Sequence, residues 1–185
     1  LVLGESGTGK ELIVQSIHRQ SKKSDCPLIK LNCAARPMQS IQAQIFGSKK
    51  PHSENTALAA AGEKTIYLTN IDTLSKGLQE KLAQALKPES MKKKDAVLAR
   101  LFASSTKDLK DLVRRNQFNK TLYEILQEQT IEIPPLREYA ENIPALIKTY
   151  FQEYTENGVT STVNIDDEAL AALCAYGWPG NIKEL

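Results

Sequence analysis

The sequence predicts an α/β fold: a parallel five-stranded sheet flanked by helices, with a small helical subdomain after it. Three observations carry this. β-rich apolar runs alternate with stretches of helical periodicity as far as Ile133, the order expected of parallel strands joined by right-handed crossovers. A glycine-rich turn joins the first strand to the first helix. Beyond Pro134-Pro135 the periodicity is helical only.

Each element has its own signal. Leu1–Leu3 is apolar and stops at Gly4, like the end of a buried strand. Residues 10–20 read as a helix, with Ile13 and Ile17 four apart. Leu28–Leu31 is a short strand after Pro27, and Met38, Ile41 and Ile45 stand at helical spacing. Thr65–Ile71 is β-rich. Leu74, Leu78, Leu82 and Leu86 recur every fourth residue, which places them on one helix face. Ala96–Ser104 is a further strand, residues 107–115 and 118–127 are helical, and Gln129–Ile133 is the last strand. Ile143, Ile147, Phe151 and Tyr154 mark one later helix; Leu170, Leu173 and Cys174 mark another. Ser48–Thr56 and Lys87–Asp95 read as loops, and residues 181–185 as the first turn of a helix.

Composition narrows the function classes. Of 185 residues, 41% are hydrophobic and 25% charged, an ordinary globular balance. The net charge of +2 does not announce nucleic-acid binding by this segment. No apolar run approaches the roughly 18–20 residues that span a bilayer, so no membrane partner is expected. Cys26, Cys33 and Cys174 form no C-x-x-C pair, and their odd number argues against a disulfide framework. Reduced thiols and a cytoplasmic location are the expectation, and neither zinc ligands nor a targeting segment is visible. Both ends read as cut, since Leu1 opens directly on a strand and Leu185 closes within a turn.

The strongest chemical signal is Gly4-Glu5-Ser6-Gly7-Thr8-Gly9-Lys10. It follows a strand and opens a helix, the context of a phosphate-binding P-loop. Glycines let the backbone turn its N–H groups around phosphate oxygens, and the helix N-terminus adds partial positive charge. Lys10 brings a full charge to the outer phosphates. Glu11 stands where a Ser or Thr would hold Mg²⁺.

That departure carries a resemblance. Gly4–Leu12 resembles the P-loop of the AAA+ domain of bacterial sigma-54-dependent transcription activators (enhancer-binding proteins), where Glu also follows the lysine. Leu31–Ala35, Ile45-Phe46-Gly47, Ile133–Glu138 and Tyr176–Asn181 are similar to further landmarks of that family, in order along nearly the whole chain. The resemblance implies a P-loop AAA+ core over 1–139 and a helical lid over 140–185. It also implies nucleotide contacts from Gly4, Glu5, Ser6, Gly7, Thr8, Gly9, Lys10 and Glu11, from Thr106 at the sensor I position, and from Lys183 at the sensor II position.

The chain departs from the family mostly where the family does its chemistry. The Asp-Glu that ends the third strand aligns with Thr69 and Asn70. Losing both carboxylates removes the local means of organising Mg²⁺ and water. Asp72 lies two residues beyond Asn70, on the same side if the strand stays extended; it reads as a substitute carboxylate or as a helix N-cap. The family's two arginine fingers align with Asn119 and Ile125. Such a finger is worth roughly 10³–10⁵ in rate, about 4–7 kcal/mol of barrier. Lys120, next to Asn119, lacks the planar fork of an arginine. The sensor I Asn becomes Thr106, and the sensor II Arg becomes Lys183. After Gly47 there is no Gly-Ala-Phe-Thr-Gly-Ala tip to contact sigma-54. Lys92-Lys93-Lys94 reads as a solvated loop or a phosphate-contacting patch.

The expectation is a nucleotide-binding AAA+ domain of a bacterial transcription regulator, taking ATP or ADP with little dependence on Mg²⁺. It would be catalytically degenerate, inactive or very slow as an ATPase, independent of sigma-54, and would act as a regulatory or oligomerisation module. Three alternatives stay open. One is a slow ATPase using Asp72 or a partner's residues. Another is a sensor of a different nucleotide, such as a cyclic dinucleotide, which Lys49, Lys50 and Lys183 would permit. The third is a relic P-loop in a domain that only dimerises. Implied partners are the nucleotide, further copies of the chain (dimer or higher oligomer), DNA through a helix-turn-helix module beyond Leu185, and RNA polymerase. A sensory or receiver module before Leu1, as in two-component systems, is expected on the same ground.

Overall fold

The computed structural model describes residues 1–34, 38–46, 65–87, 100–156 and 165–185. The loop expected at Ser48–Thr56 lies outside these residues, as do most of Lys87–Asp95, the Lys49-Lys50 pair, the Lys92–Lys94 run and the side chain of Tyr154.

The strands are β1 (Val2–Leu3), β2 (Leu28–Asn32), β3 (Thr65–Thr69), β4 (Arg100–Ser105) and β5 (Ile131–Glu132). They form one sheet in the order β2-β3-β4-β1-β5, and every pairing is parallel. The expected five-stranded parallel sheet is therefore present. Register pairs Asn32 with Thr69, Leu68 with Ala103, and Leu3 with both Ser105 and Glu132. Parallel strands end at a common edge, so Leu3, Thr69 and Ser105 close neighbouring strands there. Thr65–Leu68 is buried residue after residue, as befits an inner strand covered on both faces.

The helices are α1 (Lys10–Arg19), α2 (Met38–Phe46), α3 (Lys76–Leu86), α4 (Leu109–Arg114), α5 (Lys120–Gln127), α6 (Ile143–Glu156) and α7 (Asp167–Ala175). Four carry side-chain N-caps. Ser75 accepts from the amide of Leu78, Asp108 from Lys110 and Asp111, Asn119 from Leu122, and Asp166 from Ala169. Each cap satisfies an amide that lacks an intrahelical partner, worth about 1 kcal/mol. Asp72 is not among them. The chain leaves extended geometry at Asn70 (φ 54°, ψ 47°) and forms a 3₁₀ turn over Ile71–Thr73. This corrects both expectations for Asp72: it caps no helix, and it does not share a strand face with Asn70. Leu74 closes that turn and precedes α3 rather than lying in it. The expected terminal helix is a 3₁₀ turn, Asn181–Lys183.

The chain falls into two compact units. The first is Leu1–Leu3 with Lys10–Glu132; the second is Gly4–Gly9 with Ile133–Leu185. The core of the first joins Ile41 and Ile45 of α2, Ile66 and Leu68 of β3, Leu78 and Leu82 of α3, Ala103 of β4, and Leu109, Phe118 and Leu122. Burying each such Leu or Ile contributes about 1.5–3 kcal/mol. The buried Gln79 ties this core together at both ends: its amide donates to the Leu74 carbonyl (2.7 Å) and accepts from the Asn119 amide (2.7 Å). In the second unit Leu136, Ile143 and Trp178 pack together, with Tyr139, Ala140 and Leu173 against them. Leu136 and Tyr139 thus belong with the later helices, so this unit takes up the chain at Ile133, ahead of the boundary expected at 139/140. No helix among the described residues is long and apolar enough to cross a membrane.

Candidate nucleotide-binding loop and the exits of β3 and β4

The segment Gly4–Gly9 leaves β1 and leads into Lys10, the first residue of α1. Gly7 (φ 80°) and Gly9 (φ 87°) occupy the left-handed region that side chains disfavour. The Thr8 hydroxyl, buried, donates to the Glu5 carbonyl (2.9 Å) and closes the turn. A Cβ on Gly7 would lie 2.0 Å from the Gly180 carbonyl oxygen. Gly7 is therefore required by the packing of its own unit, apart from any phosphate.

The loop is fastened within the second unit. Arg137 grips the Glu5 carboxylate with both guanidinium arms, at 2.8 and 2.6 Å. The Asn181 amide donates to Glu5 (3.2 Å) and to the Ser6 carbonyl (2.9 Å), while its oxygen accepts from the amide of Leu136 (2.8 Å). The Lys183 backbone amide donates to the Gly7 carbonyl (3.3 Å). Hydrogen bonds from Arg137, then Asn181, pull the Glu5 carboxyl down to about 2. Its negative charge is thereby neutralised by Arg137, so the carboxylate adds no net negative charge to the loop.

In the first unit, Lys10 is half-buried, and burial lowers the pKa of its ammonium group. Glu11, in the first turn of α1, pairs with Lys30 of β2. Thr106 follows β4 and is exposed; the Lys183 side chain, in the second unit, is exposed as well.

The ends of β3 and β4 are occupied by internal contacts. Thr69 closes β3. The amide of Asn70 donates to Asn32 (3.0 Å), linking the exits of β2 and β3. The Asp72 side chain, only 3% exposed, accepts the Ser105 hydroxyl (2.9 Å) and pairs with the Lys107 ammonium (3.2 Å). Burial, and secondarily the Asp72 charge, raises the neighbouring Cys33 thiol to about 12. A carboxylate already paired with an ammonium and a hydroxyl fits poorly as a ligand for a divalent cation. Asn119 is an N-cap, and Ile125 is half-buried and carries no charge. Lys120 lies 3.8 Å from Glu124, one turn along its own helix.

Arg137 and Asn181 stand inside sequence motifs that by themselves give neither a task. Neither could be matched to Glu5, which lies 132 and 176 positions away. Gln79 and Ser105 carried no signal.

The model of the family described as the sigma-54 interaction domain matches residues 1–132. The chain belongs to the sigma-54 interaction domain family. A second family, described as the AAA+ ATPase lid domain, matches residues 137–185 of the chain. It is 37% identical over 193 residues to the glycerol metabolism operon regulatory protein of Citrobacter freundii, covering 100% of this chain and 30% of that protein. It is 34% identical over 198 residues to the DNA-binding transcriptional activator HyfR of Escherichia coli (strain K12), covering 100% and 29%. The chain thus spans under a third of the length of these curated relatives. NtrX of Brucella abortus, solved in complex with ATP, matches with a TM-score of 0.85 at 25% identity, covering 99% of this chain and 44% of that one. The fold is that of an AAA+ P-loop domain with a helical lid.

Proposed function

We propose that this sigma-54 interaction domain binds ATP or ADP through Gly4–Lys10 as part of a bacterial transcription regulator, and that it turns nucleotide over slowly or not at all. Its role is then regulatory: nucleotide occupancy would bias self-association or the parent protein's control of its promoters, with DNA contacted by a module outside this segment. The observation that carries the reading is the state of the β3 exit. Thr69 and Asn70 are neutral, and Asp72, the one nearby carboxylate among the described residues of that exit, is buried against Ser105 and Lys107. With no carboxylate among the described residues of the β3 exit presented to a metal or water, phosphoryl transfer loses its electrostatic support, while the glycine loop keeps what binding needs. Support for the ligand comes from the NtrX structure in complex with ATP. Asn119 and Ile125 offer no guanidinium to a neighbouring copy, so assembly would not restore the rate.

The reading extends to sigma-54. The sequence after Gly47 lacks the Gly-Ala-Phe-Thr-Gly-Ala tip, so regulation by the parent protein would proceed without that factor. Calorimetric titration with ATP and ADP, together with a turnover assay, tests the main claim. Binding that Lys10→Ala abolishes, without hydrolysis at the rate of an ordinary activator, is the expected result. For the second claim, promoter control should persist in a strain lacking sigma-54; its complete loss, with direct binding of this domain to sigma-54, would refute it.

A further inference from the structure

We propose that Asn181 is the positioning residue of the phosphate-binding loop, holding Glu5 and Ser6 in place from the last turn of the second unit. The argument begins with its burial. Asn181 is 0% exposed, whereas Arg137 and Glu5 are each close to half exposed. An exposed ion pair is screened by water and salt and holds geometry weakly. A buried amide with its hydrogen bonds made holds it firmly, because each bond broken there leaves a polar group without water.

The bonds of Asn181 divide by atom. Its oxygen faces Leu136, inside the lid, and its nitrogen faces Glu5 and the Ser6 carbonyl, inside the loop. The residue also sits at φ 54°, a conformation that Asn and Asp tolerate better than other side chains. Gly7 completes the junction: its carbonyl accepts from Lys183, and the Gly180 backbone leaves no room for a Cβ. The loop's shape is therefore set before any ligand arrives, by a residue that need not touch the nucleotide. Arg137 acts one step further out, through Glu5.

Asn181→Asp tests this selectively. It keeps the oxygen that accepts from Leu136 and the tolerance for positive φ. It replaces the donating amide with a second oxygen facing two acceptors. In the nucleotide-free chain, hydrogen exchange of the Lys183 amide, which donates to the Gly7 carbonyl, should quicken about tenfold, with the Leu136 amide still protected. ATP affinity should fall about tenfold, and the ratio of variant to wild-type affinity should recover as pH falls toward 5, once the new carboxyl takes a proton and donates again. Glu5→Ala, at a half-exposed position, removes one of the two loop acceptors and should quicken exchange of the same Lys183 amide about threefold. Unchanged exchange of the Lys183 amide in both variants overturns the proposal, and so does unchanged exchange in Glu5→Ala alone if Asn181→Asp fails to fold. The affinity readout rests on the nucleotide reading above; the exchange readout does not. A wild-type chain that binds ATP no better than Lys10→Ala would sink that reading and leave exchange to decide the role of Asn181.

Discussion

The Ser105 hydroxyl donates to the Asp72 carboxylate at 2.9 Å, across the exits of two neighbouring strands, and Lys107 closes on the same carboxylate from the other oxygen at 3.2 Å. The charge of Asp72 is answered inside the protein. Mg²⁺ should therefore add little to ATP affinity, because no carboxylate among the described residues of the β3 exit stands open to receive it. We expect calorimetry in Mg²⁺ and in chelator to give similar affinities, and Asp72→Asn to bind ATP as wild type does. The same substitution should cost about 1–3 kcal/mol in urea denaturation, since it weakens hydrogen bonds to a charged, buried group. Tightening by Mg²⁺ of tenfold or more (about 1.4 kcal/mol) that Asp72→Asn erases would make Asp72 a metal ligand.

Gly7 has a structural duty separable from phosphate binding. Its φ of 80° and the 2.0 Å approach of the Gly180 carbonyl to a Cβ position both resist a side chain. Gly7→Ala should lower the melting temperature of the nucleotide-free protein, by the equivalent of about 1–3 kcal/mol for the strained backbone and further for the clash. An unchanged melting temperature, with only ATP binding lost, would show that the glycine serves the ligand alone.

Acid should loosen the second unit through Glu5. Its carboxyl titrates near 4.5 when unstructured and at about 2 in the fold, held down first by Arg137 and then by Asn181. A depressed folded value means stability that is present above 4.5 and lost as pH falls from there toward about 2. Exchange of the Lys183 amide, which donates to the Gly7 carbonyl, followed from pH 5 to pH 2.5 should therefore quicken beyond the intrinsic pH dependence. Glu5→Gln should flatten that response.

Gln79 is a buried polar cross-link between the turn before α3 and the start of α5. Gln79→Leu preserves approximate size and apolar packing but leaves the Leu74 carbonyl and the Asn119 amide without their partner. Loss of stability of about 1–3 kcal/mol per orphaned buried group is expected, read from the urea midpoint. A neutral outcome would mean that water replaces the amide at one end or both.

Much of the fold was legible because its signals are local. Strand runs such as Thr65–Thr69 and the Leu78–Leu82 spacing of α3 report the period of the element that contains them. Pro134-Pro135 marks the change to helices, and the strand–glycine–Lys10 context announces a P-loop within ten residues. The neutrality of Thr69, Asn70 and Ile125 was equally plain, because a missing charge needs no coordinates.

Pairings between distant residues were decided by the tertiary structure. Asp72 looked extended and available beside Asn70, yet the left-handed turn at Asn70 swings it inward, where Ser105 and Lys107, more than 30 positions later, claim it. Glu5 read as part of the phosphate cradle, while the fold gives its carboxylate to Arg137 and Asn181. Periodicity states which face of an element is buried, but a hydrogen bond depends on which two ends of the chain the packing brings within 3 Å. The residues that shape the loop from Leu136 and Asn181 were therefore visible as letters in the sequence, and only the folded second unit gave them their task.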